Sequence, residues 1–153
     1  MGLQGSFWIV ALTYFVTTMS GICLAYAVAA LVPSMDAANT LLPAYVTTCV
    51  HFGGLFLVFD KIPSAWRWYS WTSFLRYSWG AQMLNQYGNT TTGGYGAYHD
   101  DETGRTLTVL EFYACEGPVM GSLGACLALL ALSVLLFAAI GALSLSTCRH
   151  ASR

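Results

Sequence analysis

Three stretches of this chain carry no charged residue, and each is long enough to cross a bilayer. They run from Met1 to Met35, from Ala37 to Phe59 and from Gly117 to Cys148. A helix needs about 20 apolar residues to cross roughly 30 Å of hydrocarbon. The pattern predicts spans over about 7–32, 37–59 and 119–147, with Pro118 suited to the first turn of the last. What remains cannot build a water-facing globule. Of 153 residues, 56% are hydrophobic and 8% charged, against roughly 25% charged in soluble domains. The expected fold class is an all-α membrane protein: three transmembrane helices, short interfacial or re-entrant helices over 62–86, and one extracellular loop over 87–118.

The same charges exclude other classes. Net charge is −1 without a basic cluster, so no nucleic-acid partner is expected. The first span is too long for the core of a signal peptide, and no Lys or Arg precedes it. Met1-Gly2 through Ser6 fits the myristoylation pattern, which adds little to a chain already anchored by its spans. No CxxC pair occurs, and His99-Asp100-Asp101-Glu102 are consecutive, a poor geometry for closing on one ion. That run reads as a solvated acidic turn, and no metal is expected.

Span one is rich in small and hydroxyl residues, from Thr13, Thr17 and Ser20 to Ala25 and Ala29. Such residues let helices pack closely in lipid. The turn Pro33-Ser34-Met35-Asp36 is short, so spans one and two are antiparallel neighbours, with Ser34 or Asp36 capping the second. In span two, Thr40, Ala44, Thr47, His51 and Gly54 follow i, i+4, i+7, i+11, i+14 and share one face. That stripe reads either as a helix–helix seam or as the wall of a cavity or pathway.

Residues Ile62 to Gly80 hold four of the five tryptophans together with Arg67 and Arg76. Trp and Tyr favour the headgroup level, and the segment is too polar to span. It is expected to lie in the interface or dip back into it. In the loop beyond, Asn89-Thr90-Thr91 is an N-glycosylation sequon, and Thr108-Val109-Leu110-Glu111 is a capping-box pattern. Cys115, the one cysteine of the polar loop, is expected to bridge to a second chain or stay reduced. Arg149 and Arg153 after the last span favour a cytosolic C-terminus, which puts Asn89 outside.

Several segments also resemble a known family. Ala29 to Asn39, with Val32-Pro33-Ser34-Met35-Asp36 at its centre, is similar to the turn between the fourth and fifth spans of the G subfamily of ABC transporters, the white and pleiotropic drug resistance types. Phe52-Gly53-Gly54-Leu55-Phe56, then Ile62-Pro63, Trp66, Trp68 and Tyr69, resemble the end of the fifth span. Arg76-Tyr77, Ala81, Leu84 and Asn85-Gln86-Tyr87 resemble the family's re-entrant helix. Gly80 and Gln86 stand where many members carry Glu, which puts any carboxylate relay there in doubt.

The resemblance implies the C-terminal part of a transporter membrane domain over 1–153. It implies a dimer, homo- or heteromeric, that exports lipid-like or amphipathic substrates between facing fifth spans. Pro43, Thr47, Val50 and His51 would line the cavity, and Leu55 and Phe56 would form its outer plug. The sequence has no GxxxxGK[ST] loop to cradle phosphate. ATP and Mg would therefore bind a nucleotide-binding domain that partners this chain together with the remaining spans of a half-transporter. No cofactor is expected on the chain itself, and membrane lipid is a further partner. The plasma membrane is the expected location. A different class fits the same composition: a non-transporting multi-pass membrane glycoprotein or truncated regulatory subunit.

Overall fold

The computed structural model describes residues 5–54, 56–58, 62–88, 98–100, 105–113, 115 and 120–147. Two long helices form its frame: α1, Phe7–Leu31, and α6, Leu123–Thr147. Each has 25 residues, about 37 Å at 1.5 Å per residue. Both are apolar around their whole circumference. Their outward faces expose Phe7, Trp8 and Phe15 on one helix and Leu135, Leu143 and Leu145 on the other. Water would not tolerate so much exposed apolar surface, whereas hydrocarbon favours it. Among the described residues these two helices are long and apolar enough to cross a membrane. α6 starts at Leu123 rather than at Pro118, which lies outside the described residues.

α1 and α6 pack on each other through small and hydroxyl residues. Ser20, with no exposed surface, donates to Ser133 at 3.0 Å, because Ser133 spends its own proton on the Leu130 carbonyl. A side chain at Gly141 would meet the Ala27 backbone at 3.5 Å, so the two backbones come close here. In lipid, close packing and hydroxyl bonds take the place of hydrophobic attraction.

α2, Met35–Phe52, follows a tight turn at Pro33, which cannot continue α1. Ser34 caps it by accepting from the Ala37 amide at 3.4 Å, and Asp36 stands in its first turn. The sequence predicts a span to Phe59, but the helix ends at Phe52. Gly53 closes it, and Gly54 takes φ 96°, a left-handed conformation suited to glycine. With 18 residues α2 is about 27 Å long, some 10 Å shorter than its neighbours.

The Trp-rich segment divides into two unlike parts. A 3-10 turn at Ser64–Trp66 leads into α3, Arg67–Thr72, which exposes Trp66, Trp68 and Trp71. α4, Phe74–Tyr87, is instead inserted between α1 and α6 and buries Phe74, Arg76, Tyr77, Ser78, Gly80, Ala81 and Met83. Phe74 meets Phe137 edge to face, at 6.0 Å between centroids. Ser78 donates to Thr17 at 2.7 Å, since Thr17 donates to the Thr13 carbonyl. At the far end, Asn85 receives the Ser6 amide at 3.1 Å and donates to the Ser6 carbonyl at 3.2 Å. α4 therefore climbs from the middle of α1 and α6 to the end where α1 begins. A helix enclosed in this way can sit at membrane depth because protein, not lipid, surrounds its polar groups.

The loop holds one antiparallel hairpin that the sequence reading left as loop. β1, Tyr98–Asp100, pairs with β2, Arg105–Leu107, with His99 opposite Thr106. The short helix α5, Val109–Phe112, starts in the expected capping box, both halves of which are formed. Thr108 donates its amide and hydroxyl to Glu111, at 2.8 and 3.0 Å. These bonds favour the carboxylate and hold Glu111 below its ordinary pKa.

Candidate functional site

The early stop of α2 creates the most demanding chemistry in the molecule. A helix end leaves carbonyls without intrahelical donors, and in an apolar surrounding each must find one. The Gly53 amide bonds the Val50 carbonyl at 3.4 Å. Two others in this last turn, those of Cys49 and Phe52, are received by side chains. Ser73, 1% exposed, donates to the Cys49 carbonyl at 3.1 Å, and Ser70, with no exposed surface, donates to that of Phe52 at 3.2 Å. Both serines flank the break between α3 and α4, so the re-entrant turn receives the end of α2.

Arg76 stands behind them. Its Nη1 donates to the Ser70 hydroxyl at 2.6 Å, and its Cζ lies 4.1 Å from the centroid of the Trp71 ring. Arg76 as a whole is 6% exposed. A cation at a helix C-terminus complements the partial negative charge of its carbonyls, and the aromatic face adds a cation–π contact. Tyr77 donates to the Trp71 carbonyl at 2.6 Å and keeps α3 folded back on α4.

Aromatic rings surround this junction. Phe52 stacks on Trp66 at 5.6 Å and meets Tyr69 edge to face at 5.5 Å. Tyr69 donates to Thr48 at 2.6 Å, because Thr48 donates to the Tyr45 carbonyl. Phe56 stacks on His51, with centroids 5.4 Å apart.

The predicted stripe of α2 lies on its exposed side. Thr40, Pro43, Ala44, Thr47 and His51 are all exposed, while Cys49 and Gly53 behind them are buried. Gly54, placed on the stripe by periodicity, is buried too, because the helix has ended before it. Part of the stripe's polarity is satisfied locally. Thr40 donates to the Asp36 carbonyl at 2.9 Å. The imidazole Nδ1 of His51 lies 2.7 Å from the Thr47 carbonyl, which can only accept, so Nδ1 carries the proton.

Val50 is not brought together with Thr47 and His51. It turns to the flank and lines a cleft of about 160 Å³ between α2 and α4, with Gly53, Leu75, Ser78, Trp79 and Gln82. Of the two plug residues, Phe56 is 65% exposed beside His51, and Leu55 lies outside the described residues. So do Asn89, Arg149 and Arg153. Cys115 is fully buried and donates to the Tyr113 carbonyl at 3.8 Å, so a bridge to a second chain would require this segment to open. At Gly80, a side chain would meet the Met120 methyl at 2.7 Å and Cys126 at 3.5 Å. A carboxylate there would have to displace Met120.

Sequence reasoning missed Ser70 and Ser73 as receivers of a helix end. The usable signal was Gly53-Gly54, since a helix that stops within lipid needs donors nearby.

A model of the ABC-2 type transporter family matches residues 1–87, which include α1, α2, α3 and α4. The chain is similar to the ABC transporter ATP-binding protein/permease wht-1 of Caenorhabditis elegans, 37% identical over 89 residues that make up 56% of this chain and 13% of that protein. It is also similar to ABC transporter G family member 18 of Arabidopsis thaliana, 28% identical over 57% of this chain and 13% of the relative. G family member 6 of the same plant is 33% identical over 58% of this chain and 11% of its own length. The matched part is thus about an eighth of these relatives, and it is the membrane portion rather than the ATP-binding one. The chain belongs to the ABC-2 type transporter family, as a membrane-domain sequence with relatives in the ABC transporter G family.

Proposed function

We propose that this chain is the C-terminal part of the membrane domain of an ATP-driven exporter of lipid-like or amphipathic substrates. ATP and Mg bind a nucleotide-binding domain elsewhere in the assembly, and α2 faces a second membrane half across the transport pathway. The observation that carries this reading is the exposed stripe Thr40, Pro43, Thr47 and His51 on a helix whose other face is packed. With Nδ1 of His51 bonded inside the helix, Nε2 is left as a polar atom that lipid cannot satisfy. A second copy or a related half, with a wet gap between them, removes that cost.

In this reading α2 with the segment through Val58 makes the third crossing, and Leu55 and Phe56 close its outer end. The hairpin loop with Asn89 is extracellular, and the C-terminus is cytosolic at the plasma membrane. Walls of Pro43, Ala44 and Thr47 offer apolar surface with a few hydroxyls, which suits greasy substrates. Cysteine scanning tests the assignment in the assembled transporter. Positions 47 and 51 should react with small aqueous thiol reagents, or cross-link between protomers, faster than positions 45, 49 and 52. Equal reactivity around the helix would remove α2 from the pathway and favour a non-transporting membrane subunit.

A further inference from the structure

We propose that Arg76 is a positioning residue for the outer gate: through Ser70 it latches the buried end of α2 to the re-entrant turn. The proposal rests on the export reading above and deepens it. Four observations meet at one place. α2 stops at Phe52, and the next residues are Gly53 and a Gly54 at φ 96°, a joint from which the chain leads to Phe56. Two of the last four carbonyls of the helix, those of Phe52 and Cys49, are held by Ser70 and Ser73 rather than by the helix itself. The Ser70 hydroxyl is oriented by the guanidinium, which donates to it at 2.6 Å and so turns its proton toward Phe52. The guanidinium is fixed in turn by the Trp71 face.

The arrangement has two states available to it. With the serines engaged, the end of α2, the Phe52–Trp66–Tyr69 rings and the His51–Phe56 stack form one closed unit. An outward-open state has to move the end of α2 away from the turn, and the two glycines provide the joint. The bonds that break are two serine–carbonyl bonds, while the Arg76–Ser70 pair can stay together in α3–α4. A charge-assisted bond is stronger than a neutral one. Arg76 therefore sets how readily the turn releases the helix without itself touching substrate.

A native thiol reports the latch. Cys49 has no exposed surface and sits at the Ser73-held carbonyl, 4.0 Å from the Tyr69 hydroxyl. Cys23, half-buried on α1, lines a different cleft with Tyr26, Ala29 and Phe137 and serves as the control. The experiment uses the assembled transporter in proteoliposomes, with Arg76→Met, Arg76→Lys and Ser70→Ala. A small aqueous maleimide labels it, each cysteine is read by peptide mass spectrometry, and substrate moved per ATP hydrolysed is measured alongside. Arg76→Met and Ser70→Ala should raise the labelling rate of Cys49 by up to about tenfold, the upper scale of one neutral serine–carbonyl bond, with Cys23 unchanged. Arg76→Lys, which keeps the charge and a donor, should stay within about threefold of the parent. Substrate moved per ATP should fall with the same ranking.

Equal increases at Cys49 and Cys23 would show a general packing role and overturn the proposal. So would no increase in either variant, or an increase at Cys49 with substrate per ATP unchanged. If Arg76→Met does not fold, Ser70→Ala, a one-atom deletion, decides. Absence of ATP-driven transport by the parent protein brings down the export reading, and the gate with it, while the labelling pattern alone reports whether the latch exists.

Discussion

Replacing Ser73 by Ala deletes one oxygen and should be costly for so small a change. Ser73 is 1% exposed and donates to the Cys49 carbonyl at 3.1 Å. The amide that would bond this carbonyl in a continuing helix, that of Gly53, is bonded to Val50. Without the hydroxyl the carbonyl is left without that donor at a buried helix end. Leaving a buried acceptor unsatisfied costs about 1–3 kcal/mol, and about 1 kcal/mol lowers Tm by roughly 2–4 °C in a chain of this size. The expected loss is therefore about 2–12 °C. Thr72, the neighbouring residue, is exposed and bonds within its own helix at 3.4 Å. Thr72→Ala should stay within about 0.5 kcal/mol. The buried thiols Cys49 and Cys126 supply the assay, since a thiol-reactive fluorogenic dye lights up as they become accessible on heating. A Tm for Ser73→Ala equal to that of Thr72→Ala would refute the claim that the re-entrant turn holds the end of α2.

Asn85→Ala removes both bonds to the Ser6 backbone and should destabilise the start of α1 by about 1–2 kcal/mol, water replacing part of the loss; faster amide exchange at residues 6–9 is the readout. Glu111 has a lowered pKa because Thr108 bonds its carboxylate, so this contribution is complete above the ordinary Glu pKa and is lost as pH falls through the lowered folded value. Glu111→Gln should flatten that acid limb of loop protection in hydrogen exchange, and an unchanged limb would assign it to another group. Asn89 should carry a glycan in a eukaryotic host, seen as an endoglycosidase shift absent from Asn89→Gln; loop labelling that requires permeabilisation would invert the topology.

The frame was legible in the sequence because α1 and α6 need only length and apolarity. α1 runs from Phe7 to Leu31 where a span over 7–32 is expected. Local chemistry was legible as well: Ser34 caps α2, and the Thr108–Glu111 box forms. The stop at Phe52 was harder to see. The apolar run continues to Phe59, and periodicity does not register a helix that ends inside it. The Trp-rich segment misled in a related way. Trp66, Trp68 and Trp71 do sit exposed on and before α3, but α4 half-buries Trp79 and buries Arg76. Burial of that charge depends on Ser70 and Trp71, which precede it across the break at Ser73. Such a contact has no sequence period. Thr40, Ala44, Thr47 and His51 share the exposed side of α2, as their spacing predicts, and Gly54 leaves it because the helix has ended; Val50, assigned to the cavity by the resemblance, faces α4 instead.

ATP-driven export by the assembled transporter tests the central claim most directly. Sealed vesicles carrying this chain with its nucleotide-binding partner should concentrate an amphipathic fluorescent substrate against its gradient when ATP is supplied. Thr47→Leu, a change on the exposed stripe, should alter the preference among such substrates by more than the same change at the packed Cys49. ATP-dependent accumulation with a preference that follows position 47 is the predicted result. Vesicles in which the nucleotide-binding partner copurifies, yet substrate moves no faster with ATP than without, would contradict the account.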